Sequence, residues 1–221
     1  MPFSPFYFLL FILLVGFLLA FVQVGLLTVA FDKLGLSAHS AMLLLFASLF
    51  GSIINLPLFR VKAERPPDLS EMPERLQGLL RHTLREFTGH TIIAVNVGGC
   101  LIPLSFSLYL LRHHPLPLDQ VVVAITLVSA VCYFFSRPIP GMGIGMPIFV
   151  APLTAAVVAL AINSEHSAPL AYVSGTLGVL IGADILRLKN IRQMGVPVAS
   201  IGGAGTFDGI FLTGIIAVLL A

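Results

Sequence analysis

Charge is scarce in this chain. Lys, Arg, Asp and Glu together make up 10% of its 221 residues, where a soluble domain carries about 25%. A water-solvated surface over the whole molecule is therefore excluded. Tryptophan is absent, so an interfacial aromatic belt must be built from Tyr and Phe. Only two cysteines occur, Cys100 and Cys132, both inside apolar runs. That excludes a disulfide framework or a thiolate metal site and predicts buried structural thiols. No HExxH, GxSxG, P-loop or EF-hand spacing is present, and the six histidines lie at the ends of apolar runs or in loops. Zinc, serine and nucleotide chemistry have no residues to work with, and no metal or cofactor is expected. A net charge of +2, with no basic, aromatic-studded stretch, gives no footprint for nucleic acid.

Apolar residues are what the chain has in abundance. They form 57% of it, and mean hydropathy is +1.02. A membrane-spanning helix needs about 20 of them in a row. Seven stretches qualify: 5–31, 37–58, 91–111, 118–136, 147–163, 168–187 and 200–221. The first lacks the basic flank and cleavage site of a signal peptide and reads as a retained span. Lipid admits only helices or closed barrels, and runs of this length are helices. The expected fold is an all-α polytopic membrane protein with about seven transmembrane helices in a single domain.

Ten of the twelve basic residues fall on one side of that arrangement: Arg60, Lys62, Arg65, Arg75, Arg81 and Arg85 between the second and third spans, Arg137, and Arg187, Lys189 and Arg192. Lys33 and Arg112 are on the other. Positive charge stays in the cytoplasm, which predicts N-in/C-out orientation in the cell membrane. Within the 59–90 connector, Leu69, Met72, Leu76, Leu79, Leu80 and Phe87 recur at helical spacing opposite Arg75, Arg81 and Arg85. This predicts an amphipathic helix on the inner leaflet, with membrane lipid as its partner.

Ionisable groups inside a span are costly and usually functional. Two acids qualify, Asp184 in "LIGADILRLKN" and Asp208 in "GGAGTFDGIF". Both fall in the cytoplasmic halves of consecutive antiparallel spans. Two carboxylates close together share a proton, giving an acid and a base that activate water against a peptide carbonyl. The plainer alternatives are an interfacial ion pair of Asp184 with Arg187, and a hydrogen bond from Asp208 to Thr206, Asn96 or Asn55. Gly202, Gly205 and Gly209 line one stripe of the last span, where a neighbouring helix or an extended substrate could approach. Gly175, Gly178 and Gly182 make a second stripe, turned more than 100° from Asp184 on an ideal helix, so it should pack against another helix. "RPIPGMGIGMPIFVAPL" (137–153) resists regular helix. It reads as a cytoplasmic turn, or as exposed backbone that an extended peptide joins as a strand.

Two aspartates on consecutive spans, the second following a Gly-rich turn, resemble the GxGD-type intramembrane aspartyl proteases: presenilin, signal peptide peptidase and prepilin peptidase. That resemblance implies Asp184 and Asp208 as catalytic residues. Gly203, Gly205, Gly141, Gly143, Gly145 and Pro147 are then candidates to bind an extended transmembrane peptide, with Asn96 and Thr206 as polar support. Thr206 and Phe207 intervene before Asp208, alanine precedes Asp184 where the family has tyrosine, and no later span carries a Pro-Ala-Leu motif. Over most of its length the chain also resembles an uncharacterised family of prokaryotic multi-span membrane proteins, which implies no chemistry. A different reading makes Asp208 the protonatable group of a proton-coupled small-molecule or lipid permease. A third is a non-catalytic membrane scaffold.

Overall fold

Ser167–Val179, here α6, is the helix around which the others gather. All its residues except Leu177 are buried, so it presents no lipid- or water-facing stripe. The structure, a computed structural model, describes residues 25–63, 89–139, 143–203 and 209–221. In chain order it runs α1 (Gly25–Lys33), α2 (Ala38–Gly51), β1 (Asn55–Lys62), β2 (His90–Asn96), a π-turn (Val97–Leu101), α3 (Ile102–His113), α4 (Leu118–Phe135), β3 (Arg137–Ile139), β4 (Gly143–Gly145), α5 (Val150–Ile162), α6 with a second π-turn (Leu180–Ile185), a 3-10 turn (Leu188–Gln193), β5 (Val198–Ile201) and α7 (Gly209–Leu220). Helices α3, α4, α5 and α7 all pack on α6.

Small residues allow that packing. Gly178 and Gly182 lie against Val128, Ser129 and Cys132 of α4, and Gly175 against Ala155 of α5 and Thr213 and Ala217 of α7. The expected second stripe therefore does serve helix contact, and its main partner is α4. Cys100 and Cys132 are both buried.

Outward faces are apolar. On α4, Val121, Ala124, Val128, Ser129 and Cys132 face inward, while Val122 (61% exposed), Leu127 and Phe134 (77%) face out. An aqueous surface would not be built this way. By length and composition α4 and Ser167–Ile185 are suited to crossing a membrane. The 18 residues of α4 reach about 27 Å at 1.5 Å each. A third crossing counts if α1 and α2, bent by 107° at their junction, act as one. Helices α5 and α7, with 13 and 12 residues, are shorter. The structure thus gives a predominantly helical protein with two or three membrane-capable helices among the described residues.

The expectation of an all-α fold needs correction at three places. Residues 55–62, 90–96 and 198–201 form a three-stranded sheet in the order β1-β2-β5, antiparallel then parallel. An apolar run does not by itself distinguish a buried strand from a helix. Here Thr91, Ile92, Ile93 and Val95 favour extended backbone, and Pro57 lies on an edge strand beside a bulge, where a missing N–H is tolerated. The apolar stretches 37–58, 91–111 and 200–221 each divide into a strand and a shorter helix. Of the connector, 64–88 lies outside the described residues, and its flanks are strand. Arg137–Ile139 and Gly143–Gly145 pair as the antiparallel strands β3 and β4.

Two ends emerge. At one, Lys33 Nζ donates to Val218 O at 3.3 Å, Ser167 Oγ to Ala221 O at 3.0 Å and Asn163 Nδ2 to Gln120 Oε1 at 2.8 Å. These bonds gather the termini of α1, α4, α5, α6 and α7. The sheet, the β3–β4 pair and the basic residues Arg60, Lys62, Arg137, Arg187, Lys189 and Arg192 belong to the opposite end.

Candidate functional site

At the sheet end α6 stops being a regular helix. Leu180–Ile185 winds as a π-turn, a wide turn that inserts a residue and re-aims those after it. Asp184 lies there, half-buried. Its Oδ2 accepts a hydrogen bond from the Gly202 N–H at 2.8 Å. Arg187 is not its partner. The guanidinium turns to α4, donating to Tyr133 O (2.6 Å), Ser136 O (2.9 Å) and Ser136 Oγ (3.1 Å), and stacks 4.1 Å above the Tyr133 ring. The expected ion pair is thereby corrected. Arginine satisfies the orphan carbonyls at a helix C-terminus, which leaves the carboxylate to a backbone N–H.

Gly202 is fixed from below. It has φ +85° and Gly203 φ +95°, a region that L side chains rarely enter. A Cβ on Gly202 would sit 2.6 Å from Cys100 Cβ and 2.7 Å from Gly99 C. The Val97–Leu101 π-turn beneath it is held in turn. Asn96 Oδ1 accepts from Gly99 N at 2.7 Å, and Ser48 Oγ donates to Gly98 O at 2.8 Å. Gly98 meets the backbone of Ser48 and Ser52 directly.

Asn96, fully buried, also donates to Ser52 O (2.7 Å) and to Asn55 Oδ1 (3.0 Å), which accepts from Ser200 Oγ at 2.6 Å. One amide network ties all three strands to the α2 end. Asn96 is linked to Ser200 through Asn55 and has no hydrogen bond to Asp184.

Asp184 lies on the wall of a cavity of about 680 Å³. Val179, Ala183 and Leu188 continue its own segment. All four residues of β5 contribute, as do Gly143, Ile144, Met146 and Ile148 in and after β4, and Ile210, Leu212, Thr213 and Ile216 of α7. Among the described residues the lining is apolar apart from the carboxyl group, the Ser200 and Thr213 hydroxyls and backbone. Among the described residues β5 pairs on one side only, with β2. An apolar cavity that carries an acid beside an open strand edge suits a ligand that offers backbone hydrogen bonds and apolar side chains.

The candidates from sequence divide accordingly. Asp184, Gly143 and Gly203 line one cavity. Gly145 and Pro147 do not, and Gly145 instead lies against Ile139. Gly141, Gly205, Thr206 and Asp208 lie outside the described residues. Their neighbours Gly203 and Ile210 both belong to the cavity wall. Among the described residues no three His, Cys, Asp or Glu side chains gather to hold a metal ion. Sequence reasoning missed Gly202 as the partner of Asp184, and Thr213 and the Leu188–Met194 turn as wall. The only signal for Gly202 was its place in a Gly-Gly pair after an apolar run.

The fold and this site define a class: a predominantly helical, membrane-capable bundle that carries a small mixed sheet and an acid-bearing apolar cavity at one end. Residues 49–220 match the model of a family described as a protein of unknown function, DUF1614, and the chain belongs to that family. No curated protein and no solved structure matches it.

Proposed function

We propose that this cavity is the active site of an intramembrane aspartyl-protease-like hydrolase. The observation that carries the reading is the Asp184 carboxyl group on the wall of an apolar cavity bordered by the one-sided strand β5. Asp208, the other acid in an apolar stretch, supplies the second carboxyl group. One carboxylate takes a proton from water as the water oxygen attacks the peptide carbonyl carbon. The other, protonated, gives its hydrogen to the carbonyl oxygen. Collapse of the tetrahedral diol breaks the C–N bond, and the departing nitrogen receives a proton. The substrate is a membrane-embedded peptide, extended along β5.

In this reading the protein is multi-pass, with about seven crossings. The sheet end and its cations face the cytoplasm, with the N-terminus on that side and the C-terminus opposite. The segregation of Arg60, Lys62, Arg137, Lys189 and Arg192 from Lys33 and Arg112 supports that orientation. A second reading, a proton-coupled permease using Asp208, draws on the 107° break between α1 and α2, since interrupted helices build carrier sites.

The test uses a photoreactive peptide bearing a tetrahedral hydroxyl isostere, applied to the protein in proteoliposomes. Labelling of the wild type, lost in both Asp184→Asn and Asp208→Asn, supports the hydrolase. Undiminished labelling of Asp184→Asn overturns it, and proton flux that depends on Asp208 alone favours the permease.

A further inference from the structure

Among the described residues the Asp184 carboxyl group lines its cavity with no cation beside it. No Lys, Arg or His of these residues belongs to the wall, and Arg187 is turned to α4. An ionised carboxylate in apolar surroundings is costly until a cation pairs with it. Its bond with the Gly202 N–H falls on Oδ2, which leaves Oδ1 for a donor on a ligand. The Ser200 and Thr213 hydroxyls on the same wall can accept further N–H bonds.

The rim of the cavity has the opposite character. Ile148 lines it while remaining 74% exposed, and Val198 and Leu212 line it at 40% each. These side chains mark where the cavity meets the outside, and all three are apolar, as at a mouth that opens to lipid. From there two apolar rows run along the bundle. Phe149, Leu153, Val157 and Leu160 are exposed at helical spacing from the start of α5, opposite its buried Ala151, Ala155 and Ala159. Leu212, half-buried Ile216 and Leu220 follow the same spacing on α7, which packs on α5. Phe149 to Leu160 covers about 16 Å at 1.5 Å per residue, close to the hydrocarbon depth of one leaflet, about 15 Å.

We propose that the cavity binds a long-chain aliphatic amine drawn from the bilayer. The primary ammonium head passes between Ile148, Val198 and Leu212, pairs with Asp184 and donates to Ser200 or Thr213. The chain lies along the α5 and α7 rows. A phosphate next to the amine would meet the Asp184 charge, so an aminophospholipid is a poor fit. The site stands independently of whether the cavity hydrolyses anything.

The test uses a long-chain primary alkylamine with a diazirine next to the amine. It is applied to the protein in phosphatidylcholine vesicles, and crosslinks are mapped by mass spectrometry. Saturable crosslinks at Ile148, Val198 or Leu212, reduced several-fold in Asp184→Asn, are expected. The matching N-trimethyl probe keeps the charge without an N–H, and the matching alcohol keeps a donor without the charge. Both should label the mouth several-fold less. Leu212→Trp narrows the mouth without replacing the acid and should also lower labelling, whereas Val122→Trp on the outward face of α4 should not. Equal labelling by amine and alcohol, or amine labelling undiminished in Asp184→Asn, would overturn the proposal. Amine labelling that persists where the peptide isostere fails to label would sink the hydrolase and leave this site standing.

Discussion

Replacing Gly202 with alanine tests the support beneath Asp184. At φ +85° an alanine costs about 1–2 kcal/mol from backbone conformation alone. Its Cβ would also stand 2.6 Å from Cys100 Cβ and 2.7 Å from Cys100 N and Gly99 C. Two of those neighbours are backbone atoms of a turn pinned by Asn96 and Ser48, so relief requires moving the Gly202 loop. Overpacking of that kind adds about 1–3 kcal/mol. The sum, about 2–5 kcal/mol, corresponds to a fall in thermal midpoint of roughly 5–15 °C for a chain of this size. The displaced Gly202 N–H also leaves the Asp184 carboxylate. Gly89→Ala separates the two contributions. Gly89 has φ +79°, and nothing among the described residues lies within 4 Å of the added Cβ. It should lose only the conformational part, about 1–2 kcal/mol. Thermal unfolding in nanodiscs, followed by circular dichroism, reads both. A Gly202→Ala midpoint no lower than that of Gly89→Ala would refute the argument that Gly202 is wedged against the π-turn.

Other substitutions separate the roles of nearby groups. Asp184→Asn retains an oxygen that accepts from Gly202 and should unfold within a few degrees of the wild type. Asp184→Ala leaves that N–H unpaired and should lose about 1–3 kcal/mol in the same assay. Asn96→Ala removes three hydrogen bonds and strands Ser52 O and Gly99 N. A loss of about 2–4 kcal/mol is expected, with faster amide exchange in β1 and β2. Arg187→Gln should destabilise the C-terminal turn of α4 and raise the exchange of its last amides by several fold, leaving the exchange of the Gly202 amide unchanged. A matching rise at Gly202 would mean that Arg187 acts on Asp184 after all.

How much of this was legible in the sequence depended on what each segment packs against. The bounds of α4, and of α6 taken together with its π-turn to Ile185, emerged to within two residues. Their apolar runs are long and are punctuated by Pro117, by Ser136 with Arg137, and by the basic stretch after Ile185. The strands were not legible, because Asn55–Lys62 and His90–Asn96 read as the apolar ends of longer runs. Only their pairing, with Asn55 opposite Asn96, declares them a sheet. Asp184 stood out as an acid in an apolar context, but its direction did not. A π-turn shifts the helical register just before it, and no 3.6-residue wheel anticipates that. Local spacing offers Arg187 the acid three residues away as one alternative, whereas its partners come from Tyr133 and Ser136, 54 and 51 positions earlier. Contacts between distant segments are set by tertiary packing, which local spacing does not encode.

Cleavage of a transmembrane reporter peptide by the purified protein in proteoliposomes tests the central claim most directly, compared among wild type, Asp184→Asn, Asp208→Asn and the double variant. If the two carboxyl groups act as one unit, each single change abolishes turnover and the double variant is no worse than either. Turnover in Asp184→Asn at the wild-type rate would contradict it.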